Sequence, residues 1–177
     1  MNAKLHPIRA LTYASLCLAL CLVLPFLTGQ IPEVGGMLCP MHFPVLLCGF
    51  LCGGGWGAAV GFTAPLLRHL IFSMPPMPGC ISMAFELAAY GLVTGLLYKW
   101  LGRGIKSIYG SLLCAMVAGR LVWGVAQMAI MGLSGGSFPL STFVAGAVTS
   151  AIPGIVLQLV LVPLLVRALE KARVKSE

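Results

Sequence analysis

The sequence predicts an all-α integral membrane protein, a bundle of six transmembrane helices with both termini cytoplasmic. Three observations predict it. Hydrophobic residues make up 59% of the chain and charged residues only 8%, about a third of what a soluble domain uses to cover its surface. Mean hydropathy is +1.02. The basic residues cluster at the ends of apolar runs, with Lys4 and Arg9 at the first, Lys99, Arg103 and Lys106 in one connection, and Arg167, Lys171, Arg173 and Lys175 near the C-terminus.

A chain of 177 residues reads as one transmembrane domain, 1–177, with room for about six spans of roughly 20 residues each. The first run, about 8–28, is longer than a signal peptide core and lacks an Ala-x-Ala cleavage pattern, so it reads as a helix that stays. The second, about 40–53, is short because Pro40 and Pro44 bracket its start and Gly53-Gly54-Gly55 its end. The third, about 55–73, stops at Ser73-Met74-Pro75-Pro76-Met77-Pro78-Gly79, which cannot continue a helix. The fourth, about 80–100, runs into the basic connection Lys99–Lys106. The fifth, about 108–132, ends at Gly132-Leu133-Ser134-Gly135-Gly136, and the sixth, about 140–168, carries Pro153 and Pro163, where a kink is expected.

With the N-terminus inside, all nine of the basic residues named above fall at inner ends, and the outer connections near 29–39, 74–79 and 133–139 hold no Lys or Arg. That is the positive-inside distribution. It also reassigns the net charge of +7 from nucleic-acid binding to membrane topology. The chain has no internal repeat, so an inverted-repeat transporter is not supported.

Enzyme chemistry is poorly supplied. The four acidic residues include no Asp, which removes paired-aspartate metal sites and aspartyl phosphotransfer. A Gly-x-Ser-x-Gly elbow is missing, and Gly53-Gly54-Gly55-Trp56-Gly57 lacks the Gly-Lys-Ser/Thr ending of a P-loop. The seven cysteines, Cys17, Cys21, Cys39, Cys48, Cys52, Cys80 and Cys114, sit among Leu, Ala and Val and read as small polarizable packing residues. No cofactor is expected.

Charges inside the apolar runs are costly, on the order of 2.5–3.5 kcal/mol at a helix centre, and mark functional candidates. They are Arg68, Glu86 and Arg120, accompanied by His42 and His69. Helical rise sets Arg68 and Glu86 at similar depth toward the outside and Arg120 near the middle of the fifth helix, so all three are expected to converge. Glu86 is expected to pair with Arg68 or Arg120. One reading is a structural lock between two helices. The other starts from two Arg against one Glu, a surplus that suits a carboxylate ligand held bidentately. On the fifth helix Trp123 and Gln127 share the face of Arg120, and on the fourth Ser82 and Tyr90 flank Glu86 at helical spacing. Together they outline a mostly apolar pocket with a few polar groups. His42 beside Met41 reads as a hydrogen-bonded residue before a metal ligand.

The chain resembles the substrate-binding S component of energy-coupling factor (ECF) vitamin transporters. The resemblance rests on six helices with basic ends, Ala10-x-x-x-Ala14 in the first helix, and the run Cys39-Pro40-Met41-His42-Phe43-Pro44-Val45-Leu46-Leu47-Cys48-Gly49-Phe50 followed by Gly53–Gly61, which is similar to the pantothenate-like members. It implies a multi-pass subunit in a prokaryotic plasma membrane that captures a vitamin or precursor outside the cell. It implies docking through Ala10 and Ala14 onto a membrane T component with two cytoplasmic ATPases. The ligand site would lie in the outer half, drawing on Gln30 in the first outer loop with Glu86, Tyr90, Arg120, Trp123 and Gln127, and pantothenate would be the ligand. Nickel and cobalt members of the class bind metal through an N-terminal amine and a nearby His; Met41-His42 is internal, so a metal ligand is disfavoured. A small channel or assembly subunit is the alternative outside the class.

Overall fold

The computed structural model describes residues 7–28, 38–102, 104–133, 139 and 152–175. Among them it forms six α-helices: α1 (Pro7–Val23), α2 (His42–Cys52), α3 (Gly54–Phe72), α4 (Gly79–Leu101), α5 (Ile105–Leu133) and α6 (Ile152–Lys175). A 3₁₀ turn, Leu24–Thr28, extends α1. The expected run 8–28 therefore divides. Pro25 lacks an N–H and disfavours α geometry at Leu24, so the α-helix ends at Val23. Residues 140–151 of the expected sixth segment lie outside the described residues, and α6 continues through Pro163 to Lys175.

Proline and glycine punctuate the short α2. Cys39 adopts a left-handed φ of 49°, and its carbonyl accepts the N–H of His42 at 3.0 Å. At the other end Gly53 has φ 93°. Its N–H donates to Gly49 O and its carbonyl accepts from Gly57 N–H, both at 3.0 Å. One residue thus closes α2 and opens α3, in a conformation that favours glycine.

Four helical segments are long and apolar enough to cross a membrane: Pro7–Leu27, Gly79–Leu101, Ile105–Leu133 and Ile152–Lys171. Six such spans were expected. The 11 residues of α2 reach about 16 Å, roughly half of a bilayer's hydrocarbon core. The outer faces of the long helices are apolar, as along α5, where Leu113, Val117, Leu121, Val125 and Met128 are all exposed. That stripe suits lipid; in water it would be an aggregation surface.

At the centre, α4 packs against α2, α3 and α5. Its contact with α3 is backbone on backbone. A Cβ at Gly57 would lie 2.7 Å from Gly91 O, and one at Gly91 or Gly95 would collide with the backbone of Gly57 or Gly54. The small residues of α1 face inward. Ala10, Ala14, Cys17 and Cys21 are its buried positions, and α1 packs on α2 and α3.

Candidate functional site

Glu86 on α4 is 3% exposed and is the focus of the polar interior. Its Oε1 accepts from Arg120 Nη1 on α5 at 2.9 Å. The same oxygen lies 3.3 Å from His42 Nε2 at the start of α2. The other ring nitrogen, Nδ1, is buried without a hydrogen-bond partner among the described residues. Arg120 also donates from Nη2 to Cys39 Sγ at 3.6 Å, while its Nε is buried and has no partner among the described residues. One guanidinium thus ties α4, α5 and the entry to α2 together.

Tyr90, one helical turn below Glu86, is 1% exposed. Its ring meets His42 edge-on, with centroids 4.8 Å apart at 90°. It fits only because Gly119, next to Arg120, has no side chain: a Cβ there would run into the Tyr90 ring. Ser82, by contrast, donates to Gly79 O at 2.9 Å, a local helix-start bond. Trp123 and Gln127 follow Arg120 along α5 and are half-buried. Gln127, seven residues on, sits about 10 Å further along the axis, and its Oε1 has no hydrogen-bond partner among the described residues. Gln30 lies outside the described residues.

Arg68 corrects the expected convergence of three charges. It is 3% exposed, but its Nη1 donates to Leu22 O at 2.6 Å, and its guanidinium sits 5.2 Å from the Phe26 ring and 5.4 Å from the Phe72 ring. It clamps the end of α1 to α3, using the flat face of a guanidinium against aromatics. Ala10 and Ala14 are likewise not an open face: at 4% and 3% exposed, they pack inside the chain in this conformation.

The sequence reading left out three features. Cys39 reads as packing but is a partner of Arg120. Gln158 on α6, 2% exposed with an unpartnered Oε1, is a buried amide whose polarity within an apolar run was the available signal. Tyr98 on α4 donates to Glu170 Oε1 on α6 at 2.6 Å, joining two helices near their basic ends. Among the described residues, no group of three His, Cys, Asp or Glu is placed to hold a metal ion.

No curated protein and no solved structure matches the chain. The family profile of the ECF transporter substrate-specific component matches residues 9–166, nearly the whole length. The chain therefore belongs to the family of ECF transporter substrate-specific components, membrane transport subunits rather than enzymes.

Proposed function

We propose that this subunit captures a vitamin or vitamin precursor at the outer side of a prokaryotic plasma membrane and passes it inward with a T component and two cytoplasmic ATPases. The observation that carries the reading is the Glu86–Arg120 pair at 2.9 Å, flanked by buried polar atoms on His42 and Arg120 that have no partner among the described residues. Buried polar groups are nearly always hydrogen-bonded. Exceptions on two helices at one ion pair are what a polar ligand would complete. Both termini are cytoplasmic in this reading, supported by the nine basic residues at one set of helix ends, and Gln30 belongs to the loop above the site.

Pantothenate is the specific candidate raised by two arginines against one glutamate. Arg68, held by Leu22 and two phenylalanines, no longer counts toward that surplus, so the case for a carboxylate rests on Arg120 alone.

The test is mass spectrometry of small molecules extracted from the protein purified out of its own membranes. A vitamin-class molecule at near-stoichiometric amount is expected, and its loss in the Glu86→Gln/Arg120→Met double variant, which strands no buried charge. An empty wild-type extract would sink the reading.

A further inference from the structure

We infer that Cys17 on α1 and Cys48 on α2 form an oxidisable dithiol, a modification site at which an organic hydroperoxide of the lipid phase makes a disulfide and staples α1 to the bundle. The inference is independent of the substrate-capture reading above.

Direct contacts bring the two cysteines together. Cys21 donates from Sγ to Met41 O at 3.6 Å, which pins α1 beside the entry to α2. Further along the same interface, the thiols of Cys17 and Cys48 share a hydrogen bond, and Cys48 shares a second with Cys52 on its own helix. The two contacts run in opposite directions along the two helices, so α1 and α2 are antiparallel neighbours. Both Cys17 and Cys48 are buried free cysteines. Close approach is possible because the inward face of α1 is made of small residues, Ala10, Ala14, Cys17 and Cys21.

Bond geometry selects one pairing. Thiols in hydrogen-bond contact lie about 4 Å apart, and a disulfide closes that gap to about 2.05 Å, with Cβ atoms about 3.5–4.5 Å apart. Cys48 and Cys52 stand four residues apart on one helix, where Cβ atoms are held about 5–6 Å apart, so their closure would unwind α2. Cys17 and Cys48 belong to separate helices and need only a small shift. That shift falls to α1. Helix α2 is also packed on α3, α4 and α6, whereas α1 lies at the edge with Leu11, Leu16 and Leu20 exposed.

The site's depth selects the oxidant. Cys17 stands at the midpoint of the 21-residue span Pro7–Leu27, level with lipid acyl chains, where a hydroperoxide group on an apolar molecule can reach. The O–O bond breaks as one sulfur takes an oxygen to become a sulfenic acid, releasing the organic alcohol. The second thiol then attacks that sulfur and expels water. Two thiols and one hydroperoxide give one disulfide, one alcohol and one water; the sulfurs lose two electrons and the hydroperoxide gains them. Burial slows the first step, so the exposed Cys114 on α5 reacts sooner and serves as an internal clock. The new bond closes a loop from residue 17 to residue 48, restricting the unfolded chain and holding α1 in place.

The experiment treats proteoliposomes of the purified protein with cumene hydroperoxide, quenches with N-ethylmaleimide and maps peptides without reduction. A peptide joining Cys17 to Cys48 is expected, released by dithiothreitol. The crosslinked protein should melt several degrees above the same sample after reduction. Cys17→Ala and Cys48→Ala should each abolish the crosslink and the melting shift, and Cys52→Ala should leave both. Complete oxidation of Cys114 with Cys17 and Cys48 still taking up maleimide overturns the inference. So does a peptide that joins Cys52 to either of the others. A Cys17–Cys48 crosslink without any rise in melting temperature overturns the staple.

Discussion

Glu86 on α4 and Arg120 on α5 lie equally far along the chain from Arg103 and close a 2.9 Å ion pair across the hairpin that those helices form. Equal distance from the turn puts them at one level, and the side chains are 3% and 16% exposed for Glu86 and Arg120. Arg120→Ala removes the ion-pair partner of the buried Glu86 carboxyl and leaves it the 3.3 Å contact with His42, which costs about 3–5 kcal/mol. In detergent unfolding, the single variant should melt well below wild type and the Glu86→Gln/Arg120→Met double variant should recover most of the loss. Equal melting of single and double variants would show that the pair is not buried as an ion pair.

His42→Phe separates packing from hydrogen bonding. The new ring keeps the edge-on contact with Tyr90 but loses the bond to Glu86, worth about 1.5–3 kcal/mol when an ionised acceptor is involved. His42→Ala should be worse still, having lost the ring contact as well. Chemical denaturation that ranks Phe at or below Ala would contradict this order.

Gly91→Ala should destabilise by about 1–3 kcal/mol, because the added methyl meets the backbone of Gly57 and the backbone has no rotamer to change. Gly110→Ala, on α5 with nothing within 4 Å of its ideal Cβ, should instead be neutral or stabilise by up to about 1 kcal/mol. Thermal melting of the two purified variants side by side checks the contrast.

Ala14→Trp tests what α1 uses its small residues for. Buried at 3% exposure, Ala14 has no room for an indole, so folding and ligand retention should fail together. Ser15→Trp, on the exposed side of the same turn, should leave both intact. Ligand retention with loss of T-component association in Ala14→Trp would restore the partner face expected from the sequence.

Engineered cysteines between residues 99 and 106 should react with a membrane-impermeant maleimide only in inverted vesicles. Reaction in intact cells would reverse the orientation inferred from basic residues.

Much of this was legible because lipid makes charge conspicuous. Glu86 and Arg120 stand out in apolar runs, and the Gly and Pro breakers announce the short α2. What failed was register. Counting from the middle of each run sets Arg68 level with Glu86, but Gly61 packs against the backbone of Leu87 and Cys80 donates to Pro65 O, so Arg68 lies about 9 Å further along the bundle, with Leu22 and the aromatic pair Phe26 and Phe72. Ala10 and Ala14 are buried within the chain in this conformation. Small residues permit close approach to any helix, and spacing alone does not say whether that helix is the chain's own. Gln158 escaped notice because a single amide carries no formal charge.

The glycine seam between α3 and α4 has a mechanical consequence. Where main chain touches main chain at Gly57 and Gly91, and again at Gly54 and Gly95, no side chains stand between the helices to change rotamer and let them slip. Gly49 brings α2 against the same stretch, its ideal Cβ 2.7 Å from Gly91 O. These three helices make a stiff plate, and the plate holds both Glu86 and His42. Arg120 stands across a different kind of boundary, where α5 meets α4 through the Tyr90 ring seated against Gly119. Of the two groups that share the carboxylate oxygen, His42 comes from within the glycine-seamed plate and Arg120 from the helix beside it.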